Sequence, residues 1–224
     1  MSKFVYVPVE KKNREFQSKI LVSLGLVECG VEVVIGFQKA VFAVASMAPP
    51  GVIFFKGLNR VQYNYMTLMA RADHAAVAID EESLASADPE FLMLNCYSDI
   101  AGSATKVLCQ GEVQRRALVD IRGLAPDQLV VTGNPRIDLL RLPFTDMIRS
   151  TVEEIRREHG PFVLINTDYG SINGATMNLD EFRKMLVEVG YVNPTSLEDL
   201  ELMEDRVNHD RNAMASIEAF ILAM

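Results

Sequence analysis

The chain has 224 residues, 49% of them hydrophobic and 23% charged, a balance that excludes disorder and collagen-like order and suits one large domain or two small ones. Thirty acidic residues against 22 basic give a net charge of −8, and no block of Lys and Arg stands out, which argues against binding nucleic acid through phosphates. The imbalance is local: residues 1–150 carry 16 basic and 16 acidic side chains, residues 151–224 carry 6 and 14, so a domain boundary is expected between them.

FVYVPV at 4–9 reads as a first strand. Asn13 is the expected helix cap, with Glu15 in the first turn. Phe16, Ile20, Leu21, Leu24 and Val27 then fall on one helical face, and Gly30 closes the helix. Residues 31–35 form a second strand, a helix runs to about Met47, and Pro49-Pro50-Gly51 is a turn. VIFF at 52–55 is a third strand, and a helix follows from about Arg60 to Ala72. Residues 75–79 make a fourth strand that ends in Asp80-Glu81-Glu82, with a further helix near Phe91. Residues 106–109 are a fifth strand, followed by a helix with Val113, Ala117, Leu118 and Ile121 on one face. LVV at 129–131 is a sixth strand and runs into Gly133-Asn134-Pro135-Arg136.

Apolar strands that alternate with amphipathic helices specify a parallel sheet with right-handed crossovers, a Rossmann-like, doubly wound α/β domain over residues 1–143. A charged connector helix is expected over 144–160. FVLIN at 162–166 reads as one more strand at the head of a mostly helical segment, 161–224.

Cys29, Cys96 and Cys109 are widely spaced and form no CxxC pair, which suits a reducing compartment and small buried apolar residues. The start of the chain carries charges by Glu10 and is no signal peptide. The longest apolar stretch, 41–55, is broken by two prolines and is too short to span a bilayer. A cytoplasmic protein is expected. His74, His159 and His209 show no metal-ligand spacing, and no metal or cofactor is expected.

Open α/β sheets bind ligands just past the carboxyl ends of their strands. Four places qualify. Glu10, Asn13, Arg14 and Glu15 follow the first strand; they make either a helix start with solvated charges or a turn in which Arg14 meets an anion and Glu10 meets hydroxyls. Asp80, Glu81 and Glu82 follow the fourth; their mutual repulsion would raise one carboxyl toward general-base work, while an acidic helix start favoured by the helix dipole is the simpler explanation. Glu112 follows the fifth. Gly133, Asn134, Arg136 and Asp138 follow the sixth; Asn134 as cap and Pro135 at the first helical position satisfy a local rule, and the free N–H groups with Arg136 would attract phosphate.

Taken together, VYVPVEKKNREFQSKILVS at 5–23, DEE at 80–82, GEVQ at 111–114, VVTGNPRIDLLR at 130–141 and GPFVLINTDYGSING at 160–174 resemble the bacterial surface carbohydrate (surface polysaccharide) biosynthesis protein family. VVTGNPRIDLLR is the most specific of these blocks. The resemblance implies a glycosyltransferase of the two-Rossmann GT-B type, working without an obligatory metal, with residues 1–143 as its acceptor-side half. It implies a nucleotide sugar and a glycan acceptor as ligands, and Asn166 and Asn173 at the start of the donor half. Family members continue through a complete second Rossmann half with an Arg-Pro-His-Pro-type segment. This sequence ends before one, so the donor site is expected to be incomplete in this chain, with a homodimer or a separate C-terminal-half subunit as protein partner and peripheral contact at the inner membrane face left open. Two alternatives share the architecture: a truncated Rossmann module that binds a sugar, a nucleotide or a partner without turnover, and a sugar-nucleotide epimerase.

Overall fold

The computed structural model describes residues 4–82, 88–141, 144–166, 170–173, 177–188 and 190–223. They form two compact units, residues 1–154 and 155–224.

The first unit holds a six-stranded sheet built from β1 (Phe4–Val9), β2 (Glu32–Phe37), β3 (Val52–Phe55), β4 (Ala75–Ile79), β5 (Lys106–Cys109) and β6 (Leu129–Val131). Every pairing is parallel and the spatial order is β2-β1-β3-β4-β5-β6. Between the strands lie α1 (Lys12–Glu28), α2 (Gln38–Ala45), α3 (Arg60–Ala70), α4 (Pro89–Met93) and α5 (Glu112–Asp120). The chain is thus a Rossmann-like α/β fold with a helical C-terminal part. The expected strands β3, β4, β5 and β6 match the observed ones residue for residue.

Alternation along each strand divides the core in two. Tyr6, Ile53, Phe55, Ala76, Ala78, Val107 and Cys109 face one side, where Val41 and Phe42 of α2, Met66 and Met69 of α3, Leu92 of α4 and Leu118 of α5 cover them. Val5, Val7, Phe54 and Ile79 face the other side, where Leu26 of α1 packs. Right-handed crossovers explain the division: only the β1–β2 connection runs toward the left edge, so α1 alone falls on the second face.

Two expectations for α1 need correction. Its N-cap is Lys11, which has extended backbone and no side-chain cap; Asn13 sits exposed in the first turn. The fully buried positions are Glu15, Ser18, Lys19 and Ser23 rather than the apolar stripe, and Leu24 and Val27 are exposed. The buried face is mixed: Glu15 and Lys19 bond the backbone at the end of β1, and Leu26 packs on the sheet. The far end of the helix follows the reading. Gly30 takes φ 77°, its N–H donates to Val27 O (2.9 Å), and Val31 N–H donates to Leu26 O (3.0 Å), a Schellman closure.

His74 pins the β3 start. Its Nδ1 accepts from Gly51 N–H (3.0 Å) and its Nε2 meets Ala45 O (2.8 Å), so the Nε2–H tautomer satisfies both. After β6 come α6 (Pro135–Asp138), which packs against α1, then α7 (Phe144–Met147) and α8 (Arg149–His159).

The second unit contains α9 (Leu179–Glu188) and α10 (Leu197–Leu222). Ser196 caps α10 by accepting from Asp199 N–H (3.2 Å). Buried Asp210 accepts from the backbone N–H (3.1 Å) and hydroxyl of Ser171, and Arg183 bonds Glu204 (2.7 Å). Residues 162–166 form no strand; Phe162, Val163 and Leu164 are exposed and pair with no neighbour strand. An apolar run is a strand only where a partner edge accepts it. Phe220, Ile221 and Leu222 at the end of α10 are exposed. Among the described residues, no helix is long and apolar enough to cross a membrane.

Candidate functional site

The strand order reverses between β1 and β3: the first connection leaves β1 toward β2, and the next returns across it to β3. A crevice opens at such a switch point, beyond the carboxyl ends of the strands. The residues there are Glu10 after β1, Lys56 after β3, Asp80 to Glu82 after β4, Gln110 after β5 and Thr132 to Arg136 after β6.

Buried Glu15 and Lys19, one turn apart on α1, lie at the centre. The Lys19 ammonium is 3.0 Å from Glu15 Oε2, donates to the Pro8 carbonyl at 2.6 Å, and stands 3.7 Å from Glu81 Oε1. The three side chains are 0%, 1% and 3% exposed, so their charges lie out of water and need one another. Glu15 also accepts the N–H groups of Glu10 (2.9 Å) and Lys11 (3.3 Å). Burial pushes its carboxyl up, but the Glu10 N–H and the Lys19 ammonium, with Lys56 behind, outweigh this and hold it at about 2.

Around this centre Arg14 lies 3.3 Å from both Glu15 and Glu82, and Lys56 pairs with Glu10 and approaches Glu15 (3.9 Å) and Glu82 (4.0 Å). Asp80 accepts from Glu82 N–H (3.1 Å) and forms a turn; its carbonyl accepts from the Gln110 amide. Arg136 reaches back from α6 to donate to the Glu81 carbonyl (3.0 Å).

Glu81 is 3% exposed. Burial pushes its carboxyl above the ordinary range, and Lys19 only partly offsets this. One carboxyl of the acidic run is thus raised, as its spacing suggested, but desolvation rather than mutual repulsion is the main cause. Its Oε2 has no hydrogen-bond partner.

The structure therefore brings Glu10, Arg14, Glu15, Glu81, Glu82 and Arg136 together, with Asp80 as the turn beneath them. It sets others apart. Glu112 pairs with Arg115 (2.8 Å) and Asp138 with Arg141 (3.4 Å), both on solvent-exposed faces. Gly133 has φ 79°, and its N–H donates to Cys109 O (3.2 Å). Asn134 caps α6, accepting from Arg136 N–H (3.0 Å). Two of the turn's N–H groups are thus already bonded within the protein. Asn166 and Asn173 belong to the second unit, where both are exposed. Lys19 and Lys56 were missed. The signal for Lys19 is the i,i+4 spacing from Glu15, and for Lys56 its place directly after VIFF.

Next to the cluster, Val9, Glu10, Lys12, Phe16, Gly36 and Phe37 line a hollow of about 230 Å³. Among the described residues no group of three or more His, Cys, Asp or Glu could hold a metal ion.

Fold and site together define the class: a Rossmann-like α/β domain with a desolvated charge cluster at its switch point. Compared with family models, curated proteins and solved structures, the chain matches none.

Proposed function

We propose that this chain is the acceptor-side part of a glycosyltransferase of surface polysaccharide biosynthesis, which moves a sugar from a nucleotide-activated donor to a glycan hydroxyl. The observation that carries the reading is Glu81: a desolvated carboxyl at a strand tip beside the switch point, raised above its ordinary range, with one oxygen unpartnered. A general base works best when its affinity for protons is raised toward the working pH. As the acceptor oxygen attacks the anomeric carbon of the donor, its proton passes to Glu81 Oε2. The bond from that carbon to the phosphate oxygen breaks, and the nucleotide leaves with the electron pair. Lys19 holds Glu81 in place from the other carboxyl oxygen. The sequence resemblance supports the same reading through the blocks at 5–23, 80–82 and 130–141, which supply this cluster.

The test is nucleotide release from a panel of nucleotide sugars in the presence of glycan acceptors. Glu81→Gln should cut the rate by about a hundredfold or more, with folding intact. Turnover by the Glu81→Gln chain at the wild-type rate would overturn the assignment. One observation favours a second reading, sugar binding without turnover: Arg14 and Lys56 are already paired with Glu10, Glu15 and Glu82 rather than offered to a phosphate. In that case sugars raise the melting temperature and no nucleotide is released.

A further inference from the structure

Three elements on one side of the sheet build the hollow beside the charge cluster. Val9 and Phe37, the last residues of β1 and β2, are register partners. Strand alternation puts them on the same side as Val5, Val7, Val33 and Ile35, the side that α1 covers. Lys12 and Phe16 stand one turn apart at the start of α1 and share a helix face. Glu10, from the connection between β1 and α1, and Gly36 complete the lining, which encloses about 230 Å³. The lining therefore has an apolar part, Val9, Phe16 and Phe37, and a charged part, Glu10 and Lys12. Phe37 is 58% exposed, although Val33 and Ile35 of the same strand face are packed. A single exposed phenylalanine on a flat surface is ordinary. This one lines a concavity at the carboxyl ends of two strands beside the switch point, where open α/β sheets take their ligands.

We infer that this hollow holds one pyranose ring of the glycan acceptor, with its C–H face laid on Phe37 and Phe16 and its hydroxyls bonded to Glu10 and Lys12. This rests on the reading of the chain as the acceptor-side part of a glycosyltransferase and deepens it by naming the residues that hold the acceptor. Size supports a single ring: the hollow is smaller than the roughly 300–1,000 Å³ of sites for drug-sized ligands, and a nucleotide adds a ribose and a phosphate to its base. Polarity supports a sugar. A pyranose has a C–H face, which suits the negative face of an aromatic ring, and a rim of hydroxyls that both give and take hydrogen bonds. Glu10 supplies acceptors and Lys12 supplies donors. The Glu10 ion pair with Lys56 leaves room for a hydroxyl, since a carboxylate accepts several hydrogen bonds. A phosphate would meet the Glu10 charge, and the nearby cations Arg14 and Lys56 are already engaged by Glu10, Glu15 and Glu82.

The chain has no tryptophan, so Phe37→Trp keeps an aromatic face and places a single fluorescent reporter in the hollow. The probes are the methyl glycosides of glucose, galactose, mannose and N-acetylglucosamine, with uridine monophosphate as the nucleotide control. At least one glycoside should shift the emission of the Phe37→Trp chain, and its ring C–H protons should move upfield in NMR spectra with the wild type. Phe37→Ala should weaken that glycoside by about tenfold. The melting temperature should change little, because the side chain lies mostly in solvent. Glu10→Gln should weaken the glycoside by about fivefold, through loss of a charged hydrogen bond, and should tighten a phosphate-bearing ligand. Glycoside binding that Phe37→Ala leaves unchanged overturns the hollow as the site and leaves the acceptor reading standing. Uridine monophosphate shifting the emission in place of any glycoside, with tighter binding in Glu10→Gln, overturns it in favour of a nucleotide site. If no glycoside binds, the hollow falls as a sugar site, and nucleotide release from nucleotide sugars separately decides whether the transferase reading falls with it.

Discussion

Lys19 lies 3.0 Å from Glu15, one helical turn along α1, with both side chains almost entirely out of solvent. A surface pair at this spacing contributes a few tenths of a kcal/mol. This pair is different because each partner would otherwise be an uncompensated buried charge. It also fixes the distance between α1 and the tip of β4, since the same ammonium approaches Glu81.

Lys19→Met should therefore destabilise the fold by about 3 kcal/mol, the low end for breaking a buried pair, because Glu15 keeps two backbone N–H donors and Lys56 nearby. The double variant Glu15→Gln/Lys19→Met removes both charges and should recover part of the loss. Denaturant unfolding of the three variants measures this. A double variant no more stable than Lys19→Met would show that the pair is not the coupling.

Acid should act on Glu15 and Glu81 in opposite directions. Glu15 is held at about 2 in the fold against 4.5 ordinarily, so its contribution is present above about pH 4.5 and is lost as pH falls toward 2. Glu81 is raised, so the folded state favours its protonated form. Its contribution is full below the ordinary carboxyl value and is lost as pH rises through the raised one. Glu81→Gln should then raise the melting temperature at pH 7, with the gain shrinking as pH falls through the raised value and gone below about pH 4.5. Glu15→Gln should lower it at pH 7, with the deficit shrinking toward pH 2. Melting curves across pH 2–8 give both signs.

Gly25 within α1 and Gly30 just past its end should respond oppositely to alanine. Gly30 closes the helix at φ 77°, where a Cβ is strained, and Gly30→Ala should cost about 1 kcal/mol. Gly25 is helical and a Cβ there meets nothing within 4 Å, so Gly25→Ala should stabilise by about 0.5–1 kcal/mol. Thermal unfolding of the two variants separates them.

Thiol chemistry should report one cysteine of three. Burial pushes the Cys96 and Cys109 thiols up to about 11, whereas Cys29, expected to be buried, is exposed at the end of α1. Ellman's reagent at pH 8 should titrate one thiol per native chain and three in denaturant. Cys29→Ser should abolish the native reaction.

Much of the fold could be read from local pattern. A buried parallel strand must be apolar on both faces, so VIFF, AAVAI and KVLC announce themselves, and Asn134-Pro135 announces a helix start through rules that act within three residues. The strand-tip rule was also enough to mark Glu10, Arg14, Glu81 and Arg136, since position after an apolar strand is a local property. Apolar content alone misled in two places. The stripe Phe16–Val27 suggested the buried face of α1, and FVLIN suggested a strand. Both outcomes depend on what lies opposite, which periodicity does not contain.

What the sequence by itself determined is the alternation of strands and helices, and hence a parallel sheet whose polar residues gather at one end. Only the tertiary structure decided which charges lose their water. Crossing back from β2 over β1 to β3 places Lys56 beside Glu10, and the packing of α1 over the strand ends brings Lys19 to both Glu15 and Glu81. The cost of a charge is set by its surroundings in three dimensions, so the raised carboxyl of Glu81 could be named only after the chain was folded.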